Sequence, residues 1–309
     1  MKTSTISLTL IMAFTAFLIP AKSYCQSAEE YCRTAAEKAA NYDYVGAIAD
    51  YTKAIAIDPA HVEAYFYRGT IENKTEEYPA ALADFDKVIK ITPDNAEAYN
   101  GRGLAKTELK DEKGAIADFT KAIEISPGLA SAYYNRGMVN FFLPDKTSCL
   151  ADFTKAIEIE PGYLHAYYAR GHAKNHSRDY AGAIADFSKM IEIDPATTTG
   201  YGDRGSIKYN LKDFAGALQD FNKEIEINPG YGEAYNNRGL VKSELKDYNG
   251  AIADFTKVID LNPEHDEAHY NRGIAEINSG AKDNGCIDLK KASELGYAKA
   301  MEAVAKYCK

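Results

Sequence analysis

Three histidines crowd one short stretch of this chain: His165, His172 and His176, separated by 7 and 4 residues. Imidazole is the commonest side-chain nitrogen ligand for metals and the group most easily switched between neutral and charged near neutral pH. On a helix the three fall within about 40° of one face. An i,i+4 pair such as His172 and His176 has the spacing that metalloprotease helices use to hold zinc. His165 sits about 10 Å along the axis from His172, too far to complete a ligand set with the other two. No HExxH segment accompanies them. What remains is either a patch for ligand contact through a ring face and a polar edge or neutral surface filler, and no metal site or cofactor is assigned.

A second candidate is acidic. Asp50, Asp84, Asp118, Asp152, Asp186, Asp220, Asp254 and Asp288 recur at equal intervals, each followed three residues later by a lysine, from Lys53 to Lys291. Paired carboxylates catalyse when their surroundings push two pKa values apart at one distinguished site. Here one carboxylate returns eight times with the same neighbour, which is a structural pattern, and no catalytic residue is assigned. The five cysteines offer no CxxC or metal-finger spacing.

The elements that carry these side chains are set by a period. Prolines stand at 59, 93, 127, 161, 195, 229 and 263, and Arg-Gly pairs begin at 68, 102, 136, 170, 204, 238 and 272, every step being 34. Each unit reads AYxxRG, a variable stretch, then DYxGAIADFTKAIEIxP. Two helices fit one unit: Ala98 to Leu109, and Ala115 to Ile125 with Ala115, Ile116, Phe119, Ala122 and Ile123 on one face. Asp111 marks the turn between them, and Pro127 stops the second. His61 and His265 fall in the Pro-x-x connections and are expected to be solvated. Neither helix can bury its stripe alone, so stacked pairs must share one elongated core.

With these residues the chain resembles the tetratricopeptide repeat family. The family's aromatic at position 4 matches Tyr31, Tyr65, Tyr99, Tyr133, Tyr167, Tyr201 and Tyr235; its Gly at position 8 matches Gly69, Gly103, Gly137, Gly171, Gly205, Gly239 and Gly273. Small position 20 matches Ala47, Ala81, Ala115, Ala183, Ala217 and Ala251, and aromatic position 24 runs from Tyr51 and Phe85 to Phe255. Ala35, Cys149 and Glu224 depart from the pattern at positions 8, 20 and 27. The resemblance implies an all-α, right-handed superhelical solenoid of eight helix-turn-helix repeats, at 28–61, 62–95, 96–129, 130–163, 164–197, 198–231, 232–265 and 266–295. A C-terminal capping helix over 297–308 would cover the apolar end.

The resemblance also implies a function, a non-catalytic scaffold that takes an extended peptide or protein segment into a concave groove. Positions 2, 5, 9, 12 and 13 of each first helix would line that groove. Its centre would be Tyr134, Met138, Phe141 and Phe142 of repeat four, His165, Tyr168, His172, Asn175 and His176 of repeat five, and Tyr209 and Asn210 of repeat six. Glu63, Glu97, Glu108, Glu233 and Glu244 flank this uncharged, aromatic middle and favour segments with basic ends. No carboxylate is expected at the inward positions of repeats four and six. The Lys/Asn/Arg clamp of members that bind acidic chaperone tails is not matched. Self-assembly, or an ancillary place in a cell-envelope complex, is the alternative; a metal-binding or enzymatic role has less behind it.

Arg at position 7 runs from Arg68 to Arg272 but is Thr34 in repeat one. An Arg that reached the Asp of the preceding repeat would have nothing to reach in repeat one. The expected ion pairs are therefore Asp50–Arg68, Asp84–Arg102, Asp118–Arg136 and onward to Asp254–Arg272. Cys286 lies ten residues before Gly296 and Cys308 twelve after it, so a hairpin would bring them together as a disulfide.

Lys2, the apolar run Ile6 to Pro20 and Ala21-Lys22-Ser23 have the three regions of a secretory signal peptide over 1–25, cleaved after Ser23 or after Cys25. The apolar run is too short to span a bilayer. The expected destination is the periplasm or the exterior, with no membrane span after cleavage. The whole chain carries 36 basic and 45 acidic residues, a formal charge of −9. That balance argues against nucleic acid and against anionic membrane surfaces as partners; a protein or peptide partner is what the family resemblance implies.

Overall fold

A computed structural model describes residues 27–142 and 147–309, and the proposed leader lies outside the described residues. The described residues form helices joined by short turns, with no strand among them. Repeat one is the hairpin α1 (Ala28–Ala40) and α2 (Tyr44–Ile57); repeat two is α3 (Val62–Lys74) and α4 (Tyr78–Ile91). Then come α5 (Ala96–Glu108) with α6 (Glu112–Ile125), α7 (Ala130–Phe141) with α8 (Thr147–Ile159), and α9 (Leu164–His176) with α10 (Tyr180–Ile193). Repeats six to eight are α11 (Thr198–Asn210) with α12 (Phe214–Ile227), α13 (Gly232–Glu244) with α14 (Tyr248–Leu261), and α15 (Asp266–Asn278) with α16 (Lys282–Glu294). A last helix, α17 (Ala300–Tyr307), packs on α16. Each helix packs on the next, and first helices of successive repeats also touch, giving an all-α solenoid.

Local chemistry sets the helix ends. Asp43, Asp111, Asp179, Asp213 and Asp247 cap the second helices by accepting the backbone N–H three residues on. The residue before each cap has a left-handed backbone, as at Tyr42 (φ 63°) and Lys110 (φ 65°), and Gly280 (φ 96°) takes that place in repeat eight. There the N–H of Asp111 reaches back to the carbonyl of Lys106 at 2.9 Å, closing the end of α5. His61 and His265 are not merely solvated. Their Nδ1 atoms cap α3 and α15, accepting the N–H of Ala64 (3.3 Å) and Ala268 (3.2 Å).

The core is a column of rings. Tyr51, Phe85, Phe119, Phe153, Phe187, Phe221 and Phe255 are fully buried, against small residues that include Ala115, Cys149 and Ala183. The approach is close enough that a Cβ on Gly103 would stand 2.6 Å from the Phe119 ring.

The expected ion pairs are corrected. Arg68 does not reach Asp50 of the preceding repeat; it grips Asp84 of its own through Nε (2.7 Å) and Nη2 (2.8 Å). Arg102 likewise binds Asp118, Arg136 binds Asp152, and Arg272 binds Asp288, while Arg238 takes Asp254. The cause is the hairpin, which sets position 7 of the first helix beside position 23 of the second. The link to the preceding repeat is made by the third nitrogen, Nη1. It reaches position 25 of the previous second helix: Thr52 from Arg68, Asp86 from Arg102, Thr120 from Arg136, Thr256 from Arg272. Repeat one has no predecessor for that third bond, and its Asp50 is held instead by Lys38, Lys53 and Thr34.

At the C-terminus Cys286 of α16 and Cys308 are disulfide-bonded, with Cα atoms 5.5 Å apart. The capping helix begins at Ala300 and not at Tyr297. Gly296 is left-handed, the Ala300 N–H closes a turn onto the Tyr297 carbonyl, and the Tyr297 ring packs on Tyr270 of α15 at 4.8 Å. Reduction should leave the solenoid folded but lower the local opening free energy of α17 by about 2 kcal/mol. Hydrogen exchange before and after reduction reads this out, with protection lost in α17 and kept in α3 to α14.

Candidate functional site

First helices of successive repeats pack side by side, and the depressions on that face are lined mainly by their side chains. A cavity of about 670 Å³ spans repeats two to four, between Phe66, Thr70 and Asn73 on α3, Glu97, Asn100 and Leu104 on α5, and Ser131 on α7. A second, of about 490 Å³, shares Leu104 and Glu108 with it and continues to Tyr134, Met138 and Phe142. Those three residues also line a third, of about 400 Å³, with Phe141, His165, Tyr168 and His172. Tyr168 opens onto a fourth, of about 350 Å³, between Thr199, Gly202, Asp203, Ser206, Glu224 and Glu233. Neighbouring depressions share wall residues, so the four lie in a row along the first helices from repeat two to repeat seven.

The 400 Å³ depression holds seven of the side chains singled out from sequence: Tyr134, Met138, Phe141, Phe142, His165, Tyr168 and His172. Tyr134 is wedged against Tyr163 (5.2 Å between ring centres) and Phe153 (6.0 Å). Burial pushes the Tyr134 hydroxyl above its ordinary range and that of Tyr163 up to about 12, so both stay neutral. Tyr168 stands edge-on to His172 at 4.4 Å. Phe142 is 74% exposed, an apolar ring held in solvent at the channel wall.

Asn175, His176, Tyr209 and Asn210 do not line that depression. Tyr209 turns toward Phe214 of the second helix, 5.8 Å away, beside the Ala217, Phe221 and Val241 cluster. The flanking acids divide: Glu97 and Glu108 line the first cavity, Glu233 the fourth, and Glu63 a small N-terminal one with Glu29.

His172 is not paired with His176. Its Nε2 lies 3.0 Å from Oδ2 of Asp203 on α11. Asp203 is the carboxylate that sequence reasoning missed, because position 6 was not among the inward positions considered. Glu224 and Gly202 were missed as a pair. A Cβ on Gly202 would stand 2.5 Å from Oε1 of Glu224, so the bare backbone at position 5 makes room for the acid at position 27. The available signal was two departures from the repeat pattern within one unit. Among the described residues no group of three His, Cys, Asp or Glu is placed to hold a metal ion. Among them, too, no helix is long and apolar enough to cross a membrane.

Comparison with known proteins places the architecture. Models described as tetratricopeptide repeat match residues 96–128, 130–163, 164–197 and 232–265, and one described as TPR repeat matches 69–110. No curated protein matches the chain. Among solved structures, the C-terminal part of a TPR repeat-containing protein from Cytophaga hutchinsonii is 19% identical with a TM-score of 0.64, covering 77% of this chain and 98% of its own. A tetratricopeptide repeat protein from Parabacteroides merdae is 20% identical with a TM-score of 0.55, covering 80% and 98%. YrrB, described as a TPR protein with an unusual peptide-binding site, is 24% identical with a TM-score of 0.53, covering 60% and 96%. At these identities the likeness concerns the fold. The 34-residue unit, the ring column between stacked hairpins and the matched family models converge on one conclusion: the chain belongs to the tetratricopeptide repeat family.

Proposed function

We propose that this protein is a non-catalytic protein–protein interaction scaffold whose concave channel takes an extended peptide or protein segment. The observation that carries the reading is the row of four depressions, neighbouring ones sharing wall residues, from Phe66 to Glu233. A compact metabolite needs one enclosed pocket, whereas a linear sequence of shallow ones suits a chain that lays successive side chains along it. The aromatic middle supplies contact area with few rotors to freeze. The acidic groups at Glu97, Glu108, Asp203 and Glu233 select segments with basic side chains. We further propose that residues 1–25 direct export, so that the partner is met in the periplasm or outside the cell.

Replacing both Phe142 and Tyr168 with alanine tests the site. Circular dichroism and melting temperature should stay close to wild type, because both rings are more than a third exposed. Affinity capture from the cell envelope of the source organism, read by mass spectrometry, should lose the partner by tenfold or more. Undiminished capture would remove the aromatic middle from the site, and unfolding would make these rings core.

A further inference from the structure

The fourth depression differs from the other three in its chemistry. Its floor is Glu224, which is 3% exposed, and whose Oε2 has no hydrogen-bond partner among the described residues. The corresponding residue elsewhere is apolar: Ala54, Val88, Ala122, Ala156, Met190, Val258 and Ala292. A buried carboxylate without a partner costs stability that an alanine would not. At Gly202, the only residue of its position without a side chain, this carboxylate lies against the bare backbone, and both residues line the depression.

The neighbouring charges are accounted for. Asp220, on the same helix, is held by Arg204 and Lys208. Asp203 of α11 faces His172, and Glu233 of α13 accepts the Tyr231 hydroxyl at 2.7 Å. Burial first, and then these three carboxylates, push the Glu224 carboxyl up. Thr199, Ser206, Asn228 and Asn237 complete a lining of hydroxyls and amides. The pocket therefore presents a net negative field, acceptor atoms on several sides and one unmatched acid at its base.

We infer that this depression is a subsite for a basic side chain, an arginine or lysine of the bound segment, whose cation completes Glu224. This rests on the channel reading above and gives that reading a register. One basic residue of the ligand sits between repeats six and seven, and apolar residues of the ligand lie on the Phe142–Tyr168 depression next to it. A guanidinium suits the site well, because its five donors can meet Glu224 and the surrounding acceptors together.

Two probes test this by calorimetry on the purified chain at pH 8. The first is N-acetyl-arginine methylamide, which asks about the subsite alone, with the neutral citrulline derivative as its isostere. The second is a dodecapeptide containing one arginine and several aromatic residues, with the same citrulline exchange. The arginine amide should bind saturably, and the citrulline form at least about tenfold more weakly. Glu224→Gln and Glu224→Ala should each lose that preference. The alanine variant restores the residue of repeats one, three and four and so keeps the fold. Lowering the pH to 5, where Glu224 takes up a proton, should weaken arginine binding by tenfold or more, since burial and the three acids hold its pKa at about 7. Arginine and citrulline binding alike, or an unchanged preference in Glu224→Gln, would overturn the subsite. A peptide that binds with either residue would leave the channel standing without the subsite; an arginine amide that binds where no peptide does would leave the subsite without the channel.

Discussion

Replacing Asp186 with alanine should lower the stability of the central repeats by about 3–5 kcal/mol. Asp186 is 3% exposed and accepts from Arg170 Nε (3.0 Å), Arg170 Nη2 (2.7 Å) and Lys174 Nζ (2.8 Å). Its removal strands two cations that the fold keeps mostly out of water. It also loosens Nη1 of Arg170, which holds Thr154 of the previous repeat at 3.1 Å. One side chain thus secures a hairpin and its stacking on the preceding one. Because a solenoid is stabilised by neighbour contacts, the loss should appear as a break at repeat five, visible by hydrogen exchange in α8 to α11. Replacing Asp186, Arg170 and Lys174 together by apolar residues should cost less than the single change, since no charge is then stranded. The same substitution at Asp50 should cost less, because its partners Lys38 and Lys53 are 40% and 54% exposed, against 15% and 22% for Arg170 and Lys174. Equal losses at Asp50 and Asp186 would refute this description of the ion pairs.

A gain of comparable size is expected from Glu72→Lys. Position 11 carries lysine in repeats one, three, five, six and seven, and Lys106, Lys174, Lys208 and Lys242 each reach the Asp of their own repeat. In repeat two it is Glu72, 5% exposed, with Oε2 unpartnered among the described residues and Arg68 Nε 3.8 Å from Oε1. Burial and the charge of Asp84 push its carboxyl up to about 7 from an ordinary 4.5. A carboxyl raised in the folded state contributes its stability below the unfolded pKa and loses it as pH rises through the folded one. Glu72 is therefore harmless at pH 4 and costs up to about 3 kcal/mol above pH 7, the full worth of that shift. Glu72→Gln should be neutral at pH 4 and stabilising at pH 8, with the gain growing between pH 4.5 and 7. Glu72→Lys should add a pair with Asp84 to that gain at pH 8. Denaturant titrations at the two pH values check both, and a gain equal at pH 4 and pH 8 would show that Glu72 is not the source.

The repeat was legible because its markers act locally. Pro127 ends a helix, Asp111 caps one, and Gly103 gives way to a ring, whatever lies elsewhere in the chain. The left-handed turns were hidden, since Tyr42 and Lys110 carry no glycine-like signal and the conformation is imposed by closing a helix end. The ion pairs went astray for a related reason. Thr34 correctly marks Arg as a contact between repeats, but an arginine has several nitrogens, and the spacing along the chain cannot say which one crosses.

At the site, the inward face of the first helices could be read from position alone, and that placed Tyr134, Phe142, Tyr168 and His172 in one depression. Tyr209 could not be read in this way, because its long side chain leans onto Phe214. Glu224 lies on a second helix, outside any list of inward positions, and enters the channel only because Gly202 on the first helix has no side chain.

Panning a random dodecapeptide library on the purified chain tests most directly whether the channel is a peptide site. The expected result is enrichment of sequences joining an arginine or lysine to aromatic or aliphatic residues. Those peptides should lose binding to the Phe142→Ala, Tyr168→Ala double variant and keep it when exposed residues on the second helices, such as Lys121 and Lys155, are replaced. No enrichment, or enriched peptides that ignore the channel variant and respond to the outer one, would contradict it.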